Sequence, residues 1–215
     1  MYKKLPSSLR KERGRGFHFA PLWTIYDVKV ELRRKCRLII GGNDVDSSGH
    51  EVYASTMKSV SARVLMTIAA ANDLDVMVGD IGNAYLHAST EENVYTRAGA
   101  EFAAVGLMPE WTLLEVKKAL YGLPNSGNRW HAHLSQTLRD MGFTLTRFDP
   151  DVWIRGYDNG YDYIGTKTDD VLVVTKHPER VFKKLQNIYT IKKFVPPLHH
   201  LGCDYTKVKK ASKVK

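Results

Sequence analysis

The chain has 215 residues, 43% hydrophobic and 26% charged, enough for one domain with a substantial core or a domain with a small appendage. No apolar run approaches the ~20 residues of a membrane-spanning helix, and no apolar core follows the basic start, so the expectation is an intracellular protein without membrane span or secretory signal, cytoplasm and nucleus undistinguished. Cys36 and Cys203 have no His or Cys at ligand spacing, which argues against a disulfide framework or structural zinc; the net charge of +9 favours a polyanionic partner and is equally compatible with plain solubility.

In chain order, residues 1–20 are rich in Lys, Arg, Ser and Gly and read as a basic, poorly ordered arm before a packed chain starting near Leu22. Residues 23–30 and 37–40 predict two strands joined through basic residues 31–36 and ended by Gly41-Gly42. Val60, Val64, Ile68 and Ala71 then recur at helical spacing, predicting a helix over 59–72 with Ser59 available as its cap. Residues 76–78 predict a short buried strand leading into Gly79-Asp80, and a long irregular insert through Gly99 and Gly106 reaches another strand at 112–116. Trp130, Leu134, Leu138 and Met141 share a helical face stopped by Gly142. Strands are expected at 151–155 and 161–167 around an Asp158-Asn159-Gly160 turn, and again at 171–175. Pro178 opens a helix carrying Val181, Phe182, Leu185 and Ile188 on one stripe, and residues 191–194 close the set. Trp130 and Trp153 are assigned to the core.

Two adjacent carboxylates, Asp169-Asp170, sit between the runs 161–167 and 171–174. Neighbouring strand residues point to opposite faces, so the pair converges on one cation only where the chain turns, which predicts a hairpin tip. Carboxylates about 4 Å apart repel by roughly 4 kcal/mol at an effective dielectric of 20, a physical reason to place a cation between them. Asp-Asp also occurs in ordinary solvated turns. From Val76 onward, with the insert set aside, the elements follow the order strand, helix, strand, strand, helix, strand of the split βαβ unit. Its sheet brings the end of the first strand beside the central hairpin, and so Asp80 beside Asp169 and Asp170. The fold class expected is α+β.

Four segments then carry a family resemblance: Asp80-Ile81-Gly82-Asn83-Ala84-Tyr85-Leu86; Ala119-Leu120-Tyr121-Gly122-Leu123 through Arg129-Trp130-His131; Phe148-Asp149-Pro150-Asp151-Val152-Trp153; and Thr168-Asp169-Asp170-Val171-Leu172-Val173-Val174. Together they resemble the reverse transcriptase domain of copia-type LTR retrotransposons. Tyr26-Asp27-Val28-Lys29 and Arg34-Lys35-Cys36-Arg37-Leu38-Ile39-Ile40-Gly41-Gly42 are similar to its fingers, and Leu201-Gly202-Cys203-Asp204 to its end, so the resemblance covers about 23–205.

The resemblance implies an RNA-directed DNA polymerase: a palm with a ferredoxin-like sheet and helices on one face, a small β-rich fingers region, and no thumb. The division it implies is a basic arm at 1–20, fingers and palm at 21–205, and a basic tail at 206–215. It further implies two Mg²⁺ ions, replaceable by Mn²⁺, held by Asp80, Asp169 and Asp170, with a template-primer and deoxynucleoside triphosphates as partners. Mg²⁺ takes few protein carboxylates and completes its shell from phosphates and water. Tyr85 matches the ring that excludes a 2′-hydroxyl, or is a core tyrosine. Lys29, Lys35 and Arg37 are candidates to hold the triphosphate, or a solvated hairpin. Asn125 and Ser126 match the template and nucleotide contact region, or cap a helix.

The chain departs from the family where Tyr-x-Asp-Asp is replaced by Lys167-Thr168-Asp169-Asp170, because a lysine beside a carboxylate competes with a cation for its charge. The strand around Gly165 is also less apolar than expected. The thumb, protease, integrase and RNase H parts of a parental polyprotein are not in the sequence read. The expectation is a fragment that keeps fold and acidic triad but not processive synthesis. Against it stand a non-enzymatic nucleic-acid binder, a palm remnant acting through its basic surface, and a generic metal-dependent nuclease.

Overall fold

A computed structural model describes residues 2–4, 16, 18–29, 32–45, 51–157, 159–200 and 203–206. In chain order the elements are β1 (Tyr2–Lys4), β2 (His18–Phe19), β3 (Leu22–Val28), β4 (Arg34–Ile40), α1 (Ser59–Ala71), β5 (Asp75–Ile81), β6 (Val94–Arg97), α2 (Ala100–Ala104) and β7 (Leu113–Val116). They continue as α3 (Ser126–Asp140), β8 (Thr144–Leu145), β9 (Val152–Tyr157), β10 (Gly160–Lys167), β11 (Asp170–Thr175), α4 (Pro178–Gln186), β12 (Ile191–Val195), β13 (His199–His200) and β14 (Cys203–Asp204). The protein is therefore α+β, with several sheets. Among the described residues no helix is long and apolar enough to cross a membrane. The chain forms two units, Met1–Ser55 with Asn83–Thr137, and Thr56–Gly82 with Leu138–Lys215.

The second unit is built on a six-stranded sheet in the order β12-β5-β11-β10-β9-β8, every neighbour antiparallel. Its first four strands follow the split βαβ order, with β9 and β8 added past β10. Residues 171–175 of β11 are all buried, as a strand covered on both faces must be. On one face Val78, Leu172 and Val174 pack against Ala62, Leu65 and Ala69 of α1. On the other, Phe182 of α4 stacks on Phe194 at 4.9 Å and fills the space a side chain at Gly79 would need. Arg139, in the last turn of α3, lies 5.5 Å over the Trp153 ring, on that same face. The expectation of helices on one face is thus corrected: the apolar residues of β5 and β11 alternate without a polar side, and α1 covers the face that α4 leaves open. Gly165 is the less apolar point of β10 because Met57 occupies its side-chain position, an added Cβ lying 2.2 Å from the Met57 sulfur.

Helix ends in this unit follow local chemistry except at α1. Gly142, at φ 86°, donates to the Arg139 carbonyl and Phe143 to that of Leu138, a Schellman termination with both apolar partners buried. Pro178 opens α4, but the helix stops at Gln186, leaving Ile188 51% exposed instead of on the buried stripe. Ser59 is not the cap of α1; Lys58 holds that position and no side chain of its own segment caps it. Asp149 does so from ninety residues away in sequence, its Oδ2 accepting the Lys58 N–H at 3.0 Å and the Ser61 hydroxyl at 2.5 Å, while Oδ1 accepts the Asp151 N–H at 2.9 Å.

The first unit holds the β3–β4 hairpin, paired from Leu22↔Ile40 to Val28↔Arg34. β4 starts three residues earlier than the composition implied, so Lys35 and Cys36 are strand residues and not loop. The expected irregular insert is largely ordered: β6 and β7 pair, α2 lies between them in sequence, and β1 and β2 complete a sheet in the order β1-β7-β6-β2. Tyr2–Lys4 and His18–Phe19 are therefore strands within the stretch read as an arm, and most of the rest of that arm lies outside the described residues. Asp158, Leu201-Gly202 and residues 207–215 of the basic tail also lie outside them. Ala20, Ile40, Val45, Val94, Val116, Leu120 and Leu123 form this unit's main core.

Because Asp149 satisfies two donors at the α1 N-terminus, Asp149→Ala is expected to cost about 2–3 kcal/mol and to lower the melting temperature by roughly 4–12 °C. Thermal unfolding followed by circular dichroism checks this; Asp149→Asn, which keeps the acceptor but not the charge, is expected to cost less.

Candidate active site

β10 and β11 pair down to Lys167↔Asp170, which leaves Thr168-Asp169 as a two-residue turn. Thr168 has φ 54° and Asp169 does not have positive φ, the pattern of a type II′ hairpin turn. Asp169 therefore sits in the turn, and Asp170 is the first residue of β11. On the other side of β11, Asp170 stands opposite Asp80. The Ile81 N–H donates to the Asp169 carbonyl at 2.8 Å, so Asp80 and Asp170 are a non-hydrogen-bonded pair, the kind whose side chains lie closer.

Residues directly opposite share a face, so Lys167, Asp170 and Asp80 form one row across β10, β11 and β5. The row continues the face that carries Leu172 and Val78, past the end of the apolar contacts with α1. Like charges opposed in this way are destabilising, and Lys167 is the neighbouring countercharge. Burial holds the Asp170 carboxyl above its ordinary pKa, the Asp169 charge adds to the rise, and Lys167 opposes it. Among the described residues no three His, Cys, Asp or Glu side chains are gathered closely enough to hold a metal ion. Two opposed carboxylates with a third in the adjoining turn still fit a Mg²⁺ ion in donor type, because that ion takes one or two protein carboxylates and completes its shell from substrate phosphates and water.

In the first unit, Arg37 pairs with Ile25 in the hairpin, lies 4.0 Å from the Asp27 carboxylate, and sits 5.9 Å above the Tyr121 ring. Tyr121 is held at the end of β4, its carbonyl accepting the Ile40 N–H at 2.8 Å, and its ring is 4.8 Å from that of Tyr85. Gly122 follows at φ 97°, with its missing side chain directed at the Ile40 carbonyl, 1.9 Å from where a Cβ would be. Arg37, Tyr121 and half-buried Tyr85 are thereby brought together. Lys35 is half-buried opposite Asp27. Lys29 stands apart at the hairpin end, where its N–H donates to the Arg33 carbonyl at 3.0 Å. Asn125 and Ser126 are 1% and 2% exposed. The Ser126 hydroxyl donates to the Leu120 carbonyl at 2.6 Å, while the Asn125 side-chain amide has no hydrogen-bond partner among the described residues. Trp130 and Trp153 are both in the core at 1% exposure.

Residues 18–215 match the family described as Reverse transcriptase (RNA-dependent DNA polymerase). The chain belongs to the reverse transcriptase family. It is 25% identical over 177 residues to the retrovirus-related Pol polyprotein from transposon TNT 1-94 of Nicotiana tabacum, covering 80% of this chain and 13% of that protein. It is 28% identical over 177 residues to the transposon Ty1-MR1 Gag-Pol polyprotein of Saccharomyces cerevisiae, covering 78% of this chain and 9% of the polyprotein. To the Pol polyprotein from transposon RE1 of Arabidopsis thaliana it is 24% identical over 138 residues, 64% of this chain and 9% of that one. This reverse transcriptase chain thus spans a small part of the length of the polyproteins it matches.

Two placements were not foreseen from sequence. Tyr121 was visible only as part of a motif; its place between Arg37 and Tyr85 depends on Gly122 docking on the end of β4. Asp149, in the Phe148-Asp149-Pro150-Asp151 segment, accepts from the Lys58 N–H and the Ser61 hydroxyl at the start of α1.

Lys167→Ala is expected to move the Asp170 titration midpoint upward and Asp169→Asn to move it downward, read from the carboxyl ¹³C shift of Asp170. A carboxyl whose folded pKa is raised stabilises the fold on the acid side and loses that contribution as pH rises through the folded midpoint. Stability is therefore expected to fall across that window, and Asp170→Asn to abolish the step.

Proposed function

We propose that this reverse transcriptase chain adds deoxynucleotides to a primer 3′-hydroxyl on an RNA or DNA template, and that its two units correspond to palm and fingers. The observation that carries the proposal is the register that sets Asp170 opposite Asp80 beside the Thr168-Asp169 turn, within a chain matched to the family over residues 18–215. In this reading Asp80, Asp169 and Asp170 are the catalytic carboxylates and hold Mg²⁺, with Mn²⁺ as a substitute. When bound, the ions supply charge stabilisation to the phosphoryl group in transfer. The carboxylates themselves orient that charge on a rigid strand pair, so little rearrangement is needed at the moment of reaction.

Tyr85 is proposed to select the sugar by occupying the space a 2′-hydroxyl would need. Arg37, supported by Tyr121, is proposed to hold the triphosphate as a fork, with Lys35 and Lys29 adding point charges. Asn125 and Ser126, being buried, are proposed to shape the turn whose backbone meets template and nucleotide.

A second reading is favoured by one observation, Lys167 in the same row as Asp170. A cation there offsets the charge that would attract a metal, so the chain would bind nucleic acid without polymerising.

Single-nucleotide incorporation on an RNA template, with Mg²⁺ or Mn²⁺, separates the two. Asp80→Asn is expected to lower the rate by roughly 100-fold or more, and Lys167→Tyr to raise it. Tyr85→Ala is expected to reduce discrimination against ribonucleotides by about tenfold or more. Equal activity in wild type and Asp80→Asn would refute the carboxylate assignment, and salt-dependent binding with no incorporation by any variant would establish the second reading.

A further inference from the structure

At the end of β11 remote from Asp170, about 17 Å along the strand at ~3.3 Å per residue, the second unit has a cavity of about 540 Å³. It is lined by Arg155, Asp162, Lys176, His177, Arg180 and Lys184, with Tyr157 at its side. The lining contains a single carboxylate, Asp162, and that group is already neutralised. Arg155 donates to its Oδ2 from Nε at 3.1 Å and from Nη2 at 2.6 Å, and the Thr175 hydroxyl donates to its Oδ1. The remaining Arg155 fork nitrogen donates to the Met141 carbonyl at 2.8 Å, and its guanidinium lies 4.4 Å over Phe143, so Arg155 is committed to the fold. Among the described residues Lys176, Arg180 and Lys184 are in no ion pair, while His177 has Glu179 at 3.7 Å.

A second cavity of about 210 Å³ shares Tyr157 and Lys176 with the first and adds Tyr161 and Tyr163. Tyr157, 42% exposed, shares the face of Arg155 and Asp162, whereas Tyr161 and Tyr163, with ring centroids 6.2 Å apart, lie on the opposite face of the sheet. Cations beside a solvent-facing aromatic ring, here Tyr157, suit a single strand of nucleic acid, phosphates on the charges and a base on the ring. We infer that this end of the sheet is a second nucleic-acid site, which takes a short single-stranded segment with its phosphates on Lys176, Arg180 and Lys184 and a base on Tyr157. The site is independent of the carboxylate tip and of polymerisation. Its ligand is a single strand and not a free phosphate, because a bare anion makes no use of Tyr157.

The test uses a fluorescent eight-residue oligouridine carrying 5-iodouridine, bound to the full chain in EDTA, with anisotropy and photo-crosslink mapping as readouts. Crosslinks are expected at Tyr157. The triple variant Lys176→Gln/Arg180→Gln/Lys184→Gln is expected to lose them, to weaken binding tenfold or more, and to reduce the salt slope by about 2 for three phosphates. Tyr157→Ala is expected to weaken binding about fivefold or more. The reference is Lys58→Gln/Lys192→Gln/Lys193→Gln, which removes the same charge from exposed positions elsewhere in the unit. If the two triple variants bind equally and no crosslink maps to Tyr157, the site is refuted. If Tyr157→Ala binds as wild type while inorganic pyrophosphate displaces the oligonucleotide, the region is a plain anion site and the single-strand assignment is overturned.

Discussion

The antiparallel register between β5 and β11 is the constraint on which the candidate site depends. Side chains alternate with a period of two, so a slip of one residue would send Asp170 to the face of Phe182 and set Asp80 opposite Val171 or Asp169 instead. Burial on both faces prevents the slip. Val171 and Val173 belong to one layer and Leu172 and Val174 to the other, and neither set tolerates exchange with a carboxylate. Hydrophobic packing therefore fixes the location of charge, at the point where the packing ends.

That point is electrostatically costly. Asp80 and Asp170 are opposed as a non-hydrogen-bonded pair, and burial already disfavours the ionised form of Asp170. Lys167 offsets part of the cost from within the same row. The same cation that makes the row tolerable without a bound ion is the one that would oppose an ion arriving, so stability of the tip and affinity for metal pull in opposite directions. Lys167 thus sets the charge of the row while the hairpin keeps its register.

The other supports of the second unit are long-range in sequence. Asp149 caps α1, and α1 in turn covers the face on which the carboxylate row emerges. More locally, half-buried Arg155 and buried Asp162 pair at the far end of the same sheet, which leaves the neighbouring lysines and Arg180 as the net charge there.

Much was legible in the sequence alone because it depends on neighbours a few residues apart. The Gly142 stop of α3, Pro178 at the start of α4, the buried stripe of Val181, Phe182 and Leu185, and a turn at Asp169 all follow from backbone preferences and periodicity. The strand order placing Asp80 beside the hairpin was legible too, since few topologies accommodate that succession of elements. Tertiary structure decided what local preference could not. Apolar alternation does not say which helix covers which face, so α1 opposite α4 was not foreseen. The strand at 113–116 was legible, but β1, β2 and β6 are too short or too polar to announce themselves, and the four form a sheet only because partners distant in sequence satisfy their backbone groups. The placement of Arg37 over Tyr121, beside Tyr85, needed the docking of Gly122 on β4, a contact that spacing along one chain does not encode.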